Sequence, residues 1–551
     1  MTHLELTEAY RRADLACAKL HYRLRGEKMY ERTPLIPTPE VEQDVLAQLT
    51  AARAEVAALE APEPAFALLK RHFQDFLDGE ALQARNYFSR PAEAISGLSF
   101  KAAHFAGIDS RPDPEKTEIL MDQLASVPEL VAAVQALAGT ADDSARMALA
   151  AEAAYVQDNF RHYAERAAQY FPGLSTAGAE ALGQALTQAC AALDVLTGPE
   201  QAQSAARDDE QRRVPFTEEY YRSVLHDTLG VELDELLAWH RQEIEKARSE
   251  VFEIAARLPL ANPPRDMAGV SAALAEYAGP CATPEEMFAR MQGYLDRAQA
   301  AARDYVWFPE EVCRLEPTPY PLIASFPWGG YCDGDGVKRP ITGMTFLNVG
   351  NFRAFSDGWL KMQALHEAYP GHHIQYVRNV TDTLPETLKL GAKHIPLIEG
   401  TAHRTERVFE FVFGEDPFYP LFVAFRRLHT AVRIRSDLWL RYEGRPIADC
   451  VRLYMDELGF DHGTARGQVK AQESMEGYFT CYYYGMKKIA DFEAKYGKDA
   501  RSFTETLFSC GNLSMENLEA FLRLDAGQKK RYREDFCSRL MDPEDVIRYR
   551  R

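Results

Sequence analysis

A proline inside a histidine-rich run constrains this chain more than any other feature. The run is His366-Glu367-Ala368-Tyr369-Pro370-Gly371-His372-His373. Pro370 stands four residues after His366, so its ring meets the His366 carbonyl and it offers no N–H to a helical ladder. Gly371 adds backbone freedom. A regular helix through His373 is not expected; the segment should kink, bulge or end near Tyr369. On an ideal helix His373 would line up with His366 about 10.5 Å along the axis. No single ion spans that, because zinc sits about 2.0–2.1 Å from an imidazole nitrogen. Only a distorted segment can fold His372 or His373 back toward His366. His372 is the favoured partner, and His373 stays open as the alternative.

Three imidazoles and a carboxylate within eight residues are the parts of a metal site. Imidazole binds divalent transition metals in its neutral form, through one ring nitrogen. A neighbouring carboxylate can take a proton from water at such an ion and leave hydroxide as nucleophile, so the run has the parts for metal-assisted hydrolysis. The pattern differs from H-E-x-x-H, whose histidines stand at i and i+4 on one helix face. A further protein ligand is sought in Ile398-Glu399-Gly400-Thr401-Ala402-His403-Arg404-Thr405-Glu406. Glu399 and His403 share a helix face, and Glu406 lies one turn on. Glu399 is read as the third ligand, with His403 or Glu406 orienting a ligand histidine or touching substrate. The competing reading is a solvated charged face with Arg404 and Arg407 as partners.

Length and composition bound the rest. A chain of 551 residues implies two to four domains. A net charge of -19 argues against nucleic acid as a partner. Nine scattered cysteines without a C-x-x-C pair suggest reduced thiols. The polar start Met1-Thr2-His3-Leu4-Glu5 lacks the apolar core of a signal peptide, and no run of eighteen apolar residues occurs. A cytoplasmic protein without a membrane span is the expectation. Val45–Leu59, Gly178–Leu196 and Leu233–Leu258 carry helical spacing. The polar run 200–213 suggests a boundary, giving an N-terminal helical region 1–205 and a catalytic helical region 206–551. Pro317–Asn351 reads as loops with one or two short strands, and their edge could hold an extended substrate. The fold class is therefore mainly α: a large multi-helix architecture with a small β-sheet near the active site.

The phrase from His366 to Gln375 resembles the H-E-x-x-P-G-H-H-x-Q signature of the bacterial family catalogued as domain of unknown function 885, grouped with gluzincin-type zinc metallopeptidases. Glu399-Gly400-x-Ala402, ending in Glu406, is similar to its E-G-W-A-x-Y-x-E motif. Arg433 with Asp437 resembles R-x-x-x-D, and Tyr482 with Gly485 matches the end of P-G-Q-A-x-x-Y-x-x-G. The likeness covers roughly residues 210 to 530. It implies a gluzincin-like, metallopeptidase-like helical region with Glu367 as base and His366, one of His372 and His373, and Glu399 on the metal. Thr401, Arg404, Trp439, Arg441, Glu476 and Tyr478 depart from the family pattern. That implies retained metal chemistry on an altered substrate.

The expected activity is hydrolysis of an amide or peptide-like bond with one zinc ion as cofactor. Tyr482 would donate a hydrogen bond to the oxyanion, and His403 completes the candidate catalytic group. Arg433 (with Arg435 beside it), Arg404 and Tyr478 are the candidate substrate-binding residues; an arginine fork suits a carboxylate, unless it pairs with a buried acid such as Asp437. The partner expected is a small molecule or short peptide-like substrate, and a homo-oligomer is compatible with the sequence. The alternative is a metal-dependent biosynthetic or tailoring enzyme, in one version using iron and oxygen on a non-peptide substrate; a clear pair of Glu-x-x-His motifs for two irons is missing.

Overall fold

The computed structural model describes residue 32 and residues 34–197 and 210–534, except 215, 278, 325, 335–338 and 383–390. The chain start, Cys17, Cys537, most of the polar run 200–213 and the boundary expected at 205/206 lie outside the described residues.

Helices form where the sequence combines apolar spacing with a start signal. Helix α1 (Pro39–Ala58) opens on Pro39, and the Thr38 hydroxyl accepts from the Val41 N–H. It buries Val45, Leu49, Ala52 and Val56, the stripe that predicted it. Helix α2 (Pro64–Ser89) packs on α1 and buries Leu69, Phe73, Phe76 and Leu77. Helix α3 (Asp143–Glu165) is capped by Asp142, and α4 (Thr176–Ala192) by Ser175. Helix α5 (Leu233–Ala255) buries Leu236, Ile244, Ala247 and Val251.

Three strands follow: β1 (Glu311–Pro317), β2 (Gly329–Cys332) and β3 (Ile341–Leu347). β3 is central, parallel to β1 with Glu311 opposite Ile341, and antiparallel to β2 with Gly329 opposite Leu347. β2 and β3 fall inside the stretch expected to hold one or two short strands, and β1 lies before it. Beyond the sheet come α6 (Asp357–Gln363), α7 (His372–Thr381), α8 (Ile395–Val408), α9 (Tyr419–Asp437), α10 (His462–Ser474) and α11 (Cys481–Tyr496). The molecule is thus mainly helical with one small sheet, as expected.

Apolar packing divides the chain differently from the sequence. One core gathers residues between Ala94 and Leu196. The other joins α1 and α2 to everything from Tyr221 onward. The first two helices therefore belong with the region that carries the histidine run. No described helix is long and apolar enough to cross a membrane.

Candidate metal centre

The histidine run breaks as Pro370 and Gly371 require. After Gln363 the helix widens into a π turn, Ala364–Ala368, which carries His366 and Glu367. Tyr369 leaves helical geometry at φ -129°, ψ 108°, and the Tyr369–Pro370 bond is cis. At Gly371 the chain passes so close to the His366 carbonyl that a Cβ would collide with it. Helix α7 then restarts on His372 itself. A break rather than a continuous helix brings His372 back beside His366, their ring centroids 4.8 Å apart.

One donor atom from each of His366, His372 and Glu399 lies within 4.8 Å of the others. Glu399 arrives on α8. Its Oε2 is 3.3 Å from His366 Nε2 and 3.5 Å from His372 Nε2, and this buried oxygen accepts no hydrogen bond. The other ring nitrogens are committed. His366 Nδ1 donates to Glu406 Oε1 at 2.8 Å, and His372 Nδ1 donates to Gln375 Oε1 at 2.8 Å. In the neutral rings those bonds keep the proton on Nδ1, which leaves both Nε2 lone pairs aimed inward. Two convergent imidazole lone pairs and an orphaned carboxylate oxygen are a donor set that fits zinc in its two-histidine, one-glutamate form.

His373 is turned elsewhere. Its Nε2 lies 2.6 Å from Glu311 Oε2 and its Nδ1 3.1 Å from the Tyr331 hydroxyl. Glu311, at the start of β1, also accepts from Tyr369 at 2.9 Å and from Gln299 at 2.6 Å. That buried carboxylate ties the broken helix to the sheet. The sequence reading missed Glu311, which no local pattern marks.

Electrostatics follow from burial and partners. Burial would raise the Glu399 carboxyl, but His372 and His366 hold it well below the usual range. Burial would lower His366, but Glu399 and Glu406 push it up to about 10. Burial raises Glu367, partly offset by His366 and His372. Tyr482 is kept a neutral phenol by burial and by the Glu399 charge.

A cavity of about 190 Å³ opens on the triad and is lined by Glu367, Tyr482, Tyr478, Arg433 and the edge strand β2. The Tyr482 ring stacks on His366, centroids 5.9 Å apart and planes 12° apart. Tyr478 donates its hydroxyl to Glu399 Oε1 and so bears on a candidate ligand itself. His403 does not line this cavity: its Nε2 meets the Thr430 hydroxyl at 2.9 Å and its Nδ1 lies 3.0 Å from Glu406 Oε2. It acts on His366 only through Glu406. Arg404 is a correction to the substrate-binding group. Its guanidinium bonds Glu493 at 2.8 and 2.5 Å and the Thr504 hydroxyl at 2.9 Å, away from the cavity. Arg435 faces Glu457 at 3.7 Å. Arg426, which the sequence reading passed over, lines the cavity with Arg433.

A family profile described as "Bacterial protein of unknown function (DUF885)" matches residues 26–522, extending well before the stretch carried by the motifs. No curated protein matches the chain. A crystal structure from Colwellia psychrerythraea, described as a "putative lipoprotein", is similar at 17% identity and a TM-score of 0.72, covering 94% of this chain and 98% of that one. A structure from Shewanella oneidensis, a "putative lipoprotein of unknown function", is similar at 16% identity and a TM-score of 0.70, with the same coverage. These descriptions conflict with a cytoplasmic location, and that expectation is withdrawn.

Proposed function

The chain belongs to the bacterial family DUF885, matched over residues 26–522, and from that premise we propose that it is a zinc-dependent hydrolase of an amide or peptide-like bond. The observation that carries this reading is the convergence of His366, His372 and Glu399 donor atoms within 4.8 Å, on a cavity that Glu367 also lines. A gluzincin-like catalytic region belongs to the same proposal, supported by the motif resemblance and by this ligand geometry. When bound, a divalent ion supplies Lewis acidity, acidifying water and polarising a carbonyl.

The chain's own residues supply the rest. Glu367 accepts a proton from water as the oxygen adds to the acyl carbon, and passes it to the nitrogen as the C–N bond breaks. Its raised pKa suits that two-way role. Tyr482, a phenol throughout, donates to the oxyanion. Glu406 and Gln375 hold the two ligand rings in orientation.

Glu367→Gln should keep one zinc per chain and lose at least about 1000-fold in turnover. Metal content and a screen of dipeptides and acylated amines measure both; near-normal turnover in the variant would reject the mechanism. The two-histidine, one-carboxylate set also suits iron(II). Iron in the purified protein, with oxygen-dependent turnover, would favour the tailoring-enzyme reading instead. In place of a cytoplasmic location we propose export or lipid anchoring, supported by the descriptions of the two similar structures. Cell fractionation that leaves the protein in the cytosol counts against it.

A further inference from the structure

Two buried arginines stand beside the triad: Arg433 has no carboxylate partner among the described residues, and Arg426 reaches only Glu406, at 3.8 Å. We propose that Arg433 and Arg426 receive a substrate carboxylate, and that the bond cleaved joins an acyl group to a carboxylate-bearing amino acid, which leaves as the amine. This rests on the hydrolase reading and adds to it a substrate class and a direction.

Arg433 is 6% exposed and Arg426 4%. Burying a guanidinium without a counter-charge is costly, so folds normally supply one. The acid that the motif offers is taken. Asp437, one turn after Arg433, accepts from the Tyr221 hydroxyl at 2.5 Å and lies 3.5 Å from Arg441. Arg433 instead donates Nε and Nη2 to the neutral Gln468 amide oxygen, at 3.3 and 3.0 Å. Among the described residues it forms no ion pair. Burial and the like charge of Arg426 push Arg433 down to about 10. The Arg426 Nε is buried without a hydrogen bond; Glu406 Oε1, 3.8 Å away, is already engaged by His366.

Both guanidiniums line the cavity that holds the triad. They sit 5.1 and 5.5 Å from the centroid of the Tyr482 ring, which stacks on His366. An anion docked there is one aromatic ring away from the reacting bond. A forked guanidinium matches a carboxylate with two parallel N–H bonds.

Direction comes from the two cavities that meet at the triad. The arginine side, about 190 Å³, contains Glu367. The other side, about 510 Å³, shares His372, Glu399 and Tyr478 but is not lined by Glu367. Glu367 delivers the proton to the leaving nitrogen, so the leaving group lies on the arginine side. The acyl group extends into the wider cavity. In the balanced reaction the C–N bond breaks and water oxygen joins the acyl carbon. Both water protons finish on the nitrogen, giving a carboxylate and an ammonium.

The test compares N-acetylated amino acids with their C-terminal carboxamides on the zinc-loaded protein. The free acids should show kcat/KM at least about 100-fold higher. Arg433→Gln should erase that preference, and Arg433→Lys should restore only part of it. Calorimetric binding of the same pairs to Glu367→Gln should favour the acids by about the same factor. Equal hydrolysis of acids and amides overturns the carboxylate site and leaves the hydrolase standing. Selective binding of acids without hydrolysis of any member supports the arginine site and overturns the hydrolase. Binding indifferent to the carboxylate overturns the proposal whatever is hydrolysed.

Discussion

The behaviour of the centre turns on single protons. Glu406 and Gln375 fix which nitrogen of each candidate ligand ring carries hydrogen when the ring is neutral. Glu406→Ala should therefore weaken zinc binding by about 10–100-fold while the ligands stay in place, as competition against a chelating dye would measure. Arg404→Ala also removes a buried charge, one that faces Glu493, so zinc affinity should be unchanged in it. In the metal-free protein burial would lower His366, but Glu399 and Glu406 push it up to about 10 from 6.5. The stability this protonated ring contributes is whole below 6.5 and fades as pH rises through about 10. A cation must displace the same proton. Apparent zinc affinity should climb over that interval, and zinc uptake between those limits should release protons. Calorimetry in buffers of unlike ionisation enthalpy measures the release, and none at all would remove His366 from the ligand set.

Two elements decide whether the residues meet. Helices α8 and α11 carry Glu399 and Tyr482, and they touch backbone to backbone at Gly400 and Gly485. A Cβ on Gly485 would run into the Pro396 carbonyl, and one on Gly400 would come within 2.6 Å of the Met486 nitrogen. Gly485→Ala should cost about 1–3 kcal/mol of stability and lower turnover more than substrate affinity, because it shifts Tyr482 against His366. Denaturant melts with kinetics check this; an unchanged variant means the helices can separate freely. The broken histidine helix was legible in the sequence, since Pro370 acts on its own neighbours. So were Glu399 and Glu406, whose spacing on one helix face is local. Glu311 was not legible, because its pairing with His373 spans 62 residues and strand β1 exists only through its pairing with β3. Arg433 and Asp437 show the opposite failure: one turn of helix suggested a pair, and Tyr221 and Arg441 took the acid.

At the scale of the molecule two apolar cores share the load unequally. The core that joins α1 and α2 to residues beyond Tyr221 contains every candidate ligand segment. The core between Ala94 and Leu196 contributes only a wall, through Phe100, His104 and Ile108 on the wider cavity. It meets the sheet region through polar and stacking contacts: Arg314 to the Gly107 carbonyl at 2.8 Å, Tyr320 to Asp158 at 2.7 Å, and Tyr320 on His162 with centroids 3.6 Å apart. Such seams are weaker than continuous apolar packing, so the cores need not melt together. Zinc held by the proposed triad would bind the folded form of the larger core alone, and at 100 times its dissociation constant would stabilise it by about 2.7 kcal/mol. Calorimetric scans should therefore resolve two transitions, of which zinc raises one and leaves the other in place. The unmoved transition should belong to residues 94–196, identified by hydrogen exchange of their amides as it is crossed. A single transition that zinc shifts as a whole would mean that the seam couples the cores fully, and that the wall of the wider cavity is as rigid as the centre it faces.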